Sequence, residues 1–311
     1  MSFRKIVFLF LVSLFAIQPA QSSDGLDVDL SLIRPYTRQL QSQSPYRAPY
    51  VTIFEKGQKT LVYVAAAHQQ GIESATARTI KMAFAEAKPQ VVLIEGLDID
   101  HGISPKFFQD LVLRDEPSQF KNSGENLIAA LFAMRANIPF LGAEPSNRDV
   151  YPALAAKGYA ESDVTAFIIL RNVPYWVRRD NVNDSSLDAR IQNFIDNWRY
   201  YALTQVPREK RLTPGQFRDW FARHRPAGMS LMSITSNDLA PISTPDATWF
   251  QTMSALMDDV REQSIDRQIA RLIHDYDRVF VVYGEAHLMK SRPVFEKILG
   301  LGRDRKLSWA E

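Results

Sequence analysis

Four apolar runs end on side chains that can transfer protons or bind metal. LVYVAAAH ends on His68, VVLIEG reaches Glu95, PFLGAE reaches Glu144, and VFVVYGEAH carries Glu285 and His287 together. Two imidazoles with one or two carboxylates can hold Zn²⁺ or Mn²⁺ and leave a position for water. The metal set so defined is His68, His287 and Glu95. Without a metal, the same groups can act as a paired general acid and base on an acyl group. Ala65, Ala66, Ala67, Gly284 and Ala286 surround the two histidines with small residues, which lets a substrate or ion approach the backbone. His101, His224 and His274 lack such a context and read as structural or surface residues.

Other chemistries lack their signatures. The sequence has no H-E-x-x-H, G-x-S-x-G, P-loop or G-x-G-x-x-G pattern, and Ser230 in GMSLMS has no nucleophile-elbow context. Serine hydrolase, nucleotide-binding and Rossmann readings are set aside. Cysteine is absent, which excludes disulfides, thiol catalysis, cysteine-ligated zinc and a lipid-modified cysteine.

The elements that would position these residues alternate. VTIFEKGQKTLVYVAAAH reads as two strands around Lys56-Gly57-Gln58, and Glu73 to Lys88 as a helix stopped by Pro89. QVVLIEGL is a short buried strand, GENLIAALFAMRANI a helix, and PFLGAEP another short strand. This alternation predicts an α/β fold: a mainly parallel central sheet flanked by helices. In such a sheet the carboxyl ends of the strands share one edge, where ligand sites form. The strand-end residues should therefore converge.

Between about 146 and 245 the pattern changes to helical segments rich in Trp, Tyr, Phe and Arg, an α-helical insertion or cap. Its aromatic residues should chiefly pack helices together, with part of the cap facing substrate. A long helix from about Asp246 to Asp277 leads back to RVFVVYGEAH, and SRPVFEKILG closes the domain as a helix.

The chain begins MSFRKIVFLFLVSLFAIQPAQSSDG, with Arg4 and Lys5 ahead of a short apolar run and then small residues. This is the layout of a secretory signal peptide over residues 1–22, followed by a polar leader arm over 23–45 and the α/β domain over 46–311. The run is short for a membrane span. Export to a bacterial periplasm, or secretion, is expected, with no stable membrane span after cleavage. Arg4 and Lys5 account for the formal net charge of +2, so the remainder is neutral. That balance argues against nucleic acid or an anionic membrane as the main partner; a small molecule or peptide is the expected substrate.

At the strand ends the chain resembles the TraB family and its relatives: GumN-like proteins, TIKI metallopeptidases, erythromycin esterases and haem-binding ChaN proteins. VYVAAAHQQGIESATARTIKMAFAEAKPQVVLIEGLD is similar to the family's G-x-x-H block, with His68, Glu73, Ser74, Pro89 and Glu95 on matching positions. REQSIDRQIARLIHDYDRVFVVYGEAHL is similar to the Arg-led helix and second G-x-x-H, placing Arg261, Gly284 and His287. Together the blocks cover roughly a quarter of the chain. Ala65 stands where the first block usually has Gly, Glu262 where Asn or Asp is usual, and Asp266 where a small apolar residue is common. The resemblance implies a hydrolase of peptide or ester bonds dependent on a divalent metal (Mn, Co or Zn). His68, His287, Glu95 and Arg261 would be its catalytic residues, with Arg261 stabilising charge on the scissile carbonyl. Glu73, Glu144 and Glu285 would support them. The ChaN relatives imply the alternative, a haem or small-ligand binding protein without catalysis.

Overall fold

The computed structural model describes residues 28–114, 124–145, 147–197 and 211–307. Its centre is the strand β5 (Arg278–Gly284), whose residues from Val279 onward are all buried. Val279, Val281 and Tyr283 face one helical layer, and Phe280 and Val282 face the other. A strand covered on both faces has no solvent side, so its sequence is a continuous apolar run rather than an alternating one.

The six-stranded sheet has the order β4-β3-β5-β2-β1-β6, with β1 Tyr50–Lys56, β2 Lys59–Ala66, β3 Val91–Ile94, β4 Phe140–Leu141 and β6 Arg303–Arg305. β2, β5, β3 and β4 run parallel. β1 and β6 form an antiparallel edge. The mainly parallel α/β architecture expected from the sequence is present. Pairing of Ala66 with Gly284 and of Ile94 with Val282 brings the carboxyl ends of β2, β5 and β3 level. Glu144 joins them through a parallel bridge to Asp98.

One face of the sheet carries α2 (Ala75–Ala87) and α4 (Glu125–Arg135). The other carries the second half of α9 (Trp249–Asp275) and α10 (Glu285–Leu299). Two expectations change here. The last helix begins at Glu285, directly after Gly284, and not at Ser291. Leu288, Phe295 and Leu299 recur on one face and bury it against the sheet, which draws the helix back to the strand end. The chain then adds β6, a polar strand paired to β1, which no apolar pattern announces.

The leader segment is docked along α10. Arg34 N–H donates to the Lys290 carbonyl at 3.0 Å, Lys297 pairs with Asp29 at 2.8 Å, and Ser44 hydrogen-bonds Glu285. Val28, Leu32 and Ile33 supply the apolar contact. The proposed cleavage site lies outside the described residues.

The helical region contains α5 (Asn147–Ala155), α6 (Glu161–Arg179), α7 (Asp184–Asp196) and α8 (Pro214–His224), with no strand among its described residues. These helices and the first half of α9 enclose a core of their own. Trp176, Phe217, Trp220 and Phe221 are buried in it, with Phe221 stacked on Phe250 at 5.8 Å between ring centroids. These aromatic residues pack helix to helix. Among the described residues, no helix is long and apolar enough to cross a membrane.

Candidate functional site

The carboxyl edge of the sheet forms the floor of a cavity of about 840 Å³. His68, Glu95, Glu144, Arg261 and His287 all line it, while Val150, Arg171 and Leu239 of the helical region form part of its wall. The helical region thus stands beside this edge.

Arg261 sits among the carboxylates. Its Nη2 donates to Glu95 Oε1 at 2.9 Å and to Glu144 Oε1 at 2.7 Å, and its Nε donates to Glu144 Oε2. Nη1 is the end left free of carboxylates, 3.1 Å from His287 Nε2. Burial opposes the guanidinium charge, but Glu144 and Glu95 outweigh it and hold the pKa well above its ordinary value. Glu95 Oε2 accepts the Gly284 N–H at 2.8 Å, and Glu144 Oε1 accepts the Gly96 N–H at 3.1 Å. Burial works against the Glu95 charge as well. His287, Arg261 and His68 overcome that penalty and keep its pKa below the usual carboxylate range.

His68 follows β2 in a left-handed conformation, with φ +49°. Such a φ is unfavourable for a residue with a side chain and is held only where the surroundings impose it. Its Nδ1 lies 2.5 Å from Glu125 Oε1, at the first residue of α4. That hydrogen bond raises the imidazole pKa against the effect of burial. Gly284 makes the arrangement possible, because a Cβ there would lie 2.7 Å from His68 Nε2.

His287 occupies the first turn of α10, three residues beyond the end of β5, and is buried. Its Nδ1 hydrogen-bonds Glu262, whose other oxygen accepts from Ser291 at 3.1 Å. Burial alone would lower the His287 pKa, but Glu262 and Glu95 push it up to about 10. The two carboxylates thus favour its charged form. Lys290, also buried, pairs with Asp258 at 2.6 Å and Glu262 at 3.6 Å.

The two histidines serve different groups of donors. His68, Glu95 and Glu125 each offer one ligand atom within 4.8 Å of the others. One imidazole and two carboxylates form a donor set that fits Zn²⁺ or Mn²⁺, and His68 and Glu95 bring it to the cavity floor. Asp258, Glu262 and His287 form a second group of that size. The Lys290 ammonium already pairs with both of its carboxylates. The expected trio of His68, Glu95 and His287 is thus not a single ligand set. For haem, His68 is the strand-end imidazole with a ring nitrogen still free.

Two expected supporting residues lie elsewhere. Glu73 is exposed, just before Ser74, whose hydroxyl caps α2. On an extended strand Glu285 would share the face of His287, but the strand ends at Gly284 and the helical turn sends Glu285 to Ser44. Glu144 does belong to the cluster. His101, read as structural or surface, is exposed at the cavity wall, its ring 4.8 Å from that of Phe107.

Glu125, Asp258, Glu262 and Lys290 were not foreseen. For Asp258 and Glu262 a signal existed: with Asp266 they repeat every four residues, on the helix face that also carries Ile265 and Ile269. No known family model matches this chain, and no curated protein is similar enough to count as a relative.

Proposed function

We propose that the protein is an exported hydrolase of the TraB/TIKI type, cleaving an ester or peptide bond at the cavity floor with a divalent metal held by His68, Glu95 and Glu125. The observation that carries this reading is the placement of that donor set's His68 and Glu95 on the cavity floor beside a fixed guanidinium. A bound divalent ion would supply Lewis acidity and an activated water. The Gly284 N–H anchors Glu95. Arg261 is pinned by two carboxylates and keeps Nη1 available for a carbonyl oxygen that gains negative charge. His287 adds positive charge beside it and does not act as a ligand.

The test combines metal content with turnover. Protein prepared without chelator is assayed for Mn²⁺, Co²⁺ and Zn²⁺ and offered short peptides and simple esters. His68→Ala, Glu95→Gln and Glu125→Gln should each lose both bound metal and turnover. Full metal content in all three variants would refute the ligand assignment.

A metal-free version of the same hydrolase is favoured by one observation, the 2.5 Å contact between Glu125 and His68 Nδ1. A carboxylate so placed orients an imidazole whose Nε2 can take a proton from water. Turnover that survives chelation yet requires His68 and Glu125 would select this version.

A further inference from the structure

Seven large hydrophobic residues are exposed among the described residues, and four of them, Ile103, Phe107, Leu111 and Leu113, fall within eleven positions of each other. They belong to α3 (Lys106–Arg114) and the segment leading into it. Phe108 and Val112 fix the inner face of this helix in the sheet core. Its outer face should therefore be polar. Phe107 and Leu111 instead lie one helical turn apart as a ridge, with Ile103 just ahead of it, and Ile103, Phe107 and Leu111 are 64 %, 40 % and 42 % exposed.

This ridge is continuous with the candidate site. Phe107, Phe108 and Leu111 line the same cavity as His68, Glu95 and Arg261. Leu97, Leu239 and Met257 extend the apolar wall inward from it. The cavity thus has a charged floor, an apolar wall and an apolar lip that reaches solvent. A fully polar substrate would gain nothing from the wall and lip. A substrate with an aliphatic tail could place its polar bond at the floor and lay the tail outward along α3. The side chains that meet it are mostly Leu, Met, Val and Phe, and the ridge is elongated, which suits a flexible linear chain.

Resting on the hydrolase reading for its floor, we infer that the substrate is an acylated amphiphile whose aliphatic chain lies along Phe107 and Leu111. Removing a methylene from water contributes about 0.8 kcal/mol, so affinity should rise by about fourfold per methylene while the chain remains on the wall.

Binding is measurable without turnover. Isothermal titration with N-acetyl-, N-hexanoyl-, N-octanoyl- and N-decanoylglycine, below their micelle concentrations, should give a Kd that tightens with chain length. Phe107→Ser and Leu111→Ser remove partly exposed side chains, so both variants should keep the wild-type circular dichroism and melting profile. Each should flatten the chain-length dependence by tenfold or more at the longest chain. Equal affinity for all four ligands in the wild-type protein would overturn the inference, as would unchanged dependence in both variants. Binding to phosphatidylcholine vesicles that needs Phe107 and Leu111, without binding of monomeric acylglycines, would overturn it too and make the ridge a membrane contact. Loss of metal or turnover in His68→Ala with chain-length dependence intact leaves this inference standing and bears on the hydrolase reading alone.

Discussion

Gly284→Ala separates the site from the fold. The backbone at Gly284, φ −55° and ψ 149°, is open to any residue. The new methyl group would stand 2.7 Å from His68 Nε2 and 3.6 Å from Glu95 Oε2. A van der Waals contact needs about 3.5 Å, so the imidazole must retreat by roughly 0.8 Å. It is the far end of a side chain and can do so, but its Nδ1 hydrogen bond to Glu125 constrains the direction. Exchanging Gly for Ala at a helix N-cap costs about 0.5–1 kcal/mol, which for a domain of this size lowers Tm by about 2–4 °C. A misplacement near 1 Å in a catalytic constellation can cost about 100-fold in rate. The variant should therefore fold, melt within a few degrees of wild type, and lose about two orders of magnitude in kcat/KM on whichever ester or peptide is turned over. A titration of the His68 ring by NMR should report its altered environment directly. Gly142→Ala is the contrasting case, because its Cβ would meet the Leu97 backbone carbonyl at 1.7 Å. Backbone cannot swing aside, so that variant should fail in stability first. Full activity with an unchanged His68 titration in Gly284→Ala would refute the argument that this glycine makes room for the imidazole.

Other outcomes follow from the same geometry. His287→Ala should abolish turnover and also cost about 3–5 kcal/mol of stability, since it leaves Glu262 buried with less compensation; chemical denaturation measures the second effect, and an unchanged midpoint would count against it. Burial and the neighbouring Glu262 push the Asp266 pKa up to about 8, and both its oxygens lack a hydrogen-bond partner among the described residues. A carboxyl whose folded pKa is raised stabilises most below its unfolded pKa near 4, and that contribution is lost as pH rises toward 8. Asp266→Asn should consequently gain stability relative to wild type from pH 5 to pH 8, read as a growing difference in Tm; a constant difference would show that Asp266 does not titrate there. If the amino-terminal segment is a cleaved signal, intact mass of exported protein should place the mature terminus at Ser23. A full-length chain retained with membranes would refute export as a soluble protein.

The convergence of His68, Glu95, Glu144 and His287 is legible in the sequence because parallel strands in level register must end together. Each apolar run announced its strand, and the first ionisable residue after it announced the edge. Glu285 failed for a local reason. Alternation holds only while the chain is extended, and nothing in YGEAHL marks the residue at which strand becomes helix. Glu125 was hidden differently, since an acid in the first turn of a helix is ordinary, and only the tertiary fold carries it to His68. Arg261 came through the family resemblance rather than from any local pattern, because its partners Glu95 and Glu144 are more than a hundred residues away. β6, Arg-Asp-Arg, has no strand signature at all. It is held by pairing with β1 and by Arg292 on Asp304 at 2.9 Å.

The helix α9 belongs to two cores at once. Phe250, Met253 and Met257 lie in the helical region's core, while Ile265, Ile269 and Leu272 lie in the sheet's, and Arg261 falls between them. At 27 residues the helix is a rod about 40 Å long. A twist of the rod by about 10° would carry a side-chain tip some 6 Å from its axis through about 1 Å. Repacking around Phe250 would thus act as a key turned at one end, with Arg261 as the bit. The tuning of the charged floor is therefore open to mutations remote from it, and the two cores cannot drift apart in evolution without the guanidinium recording it.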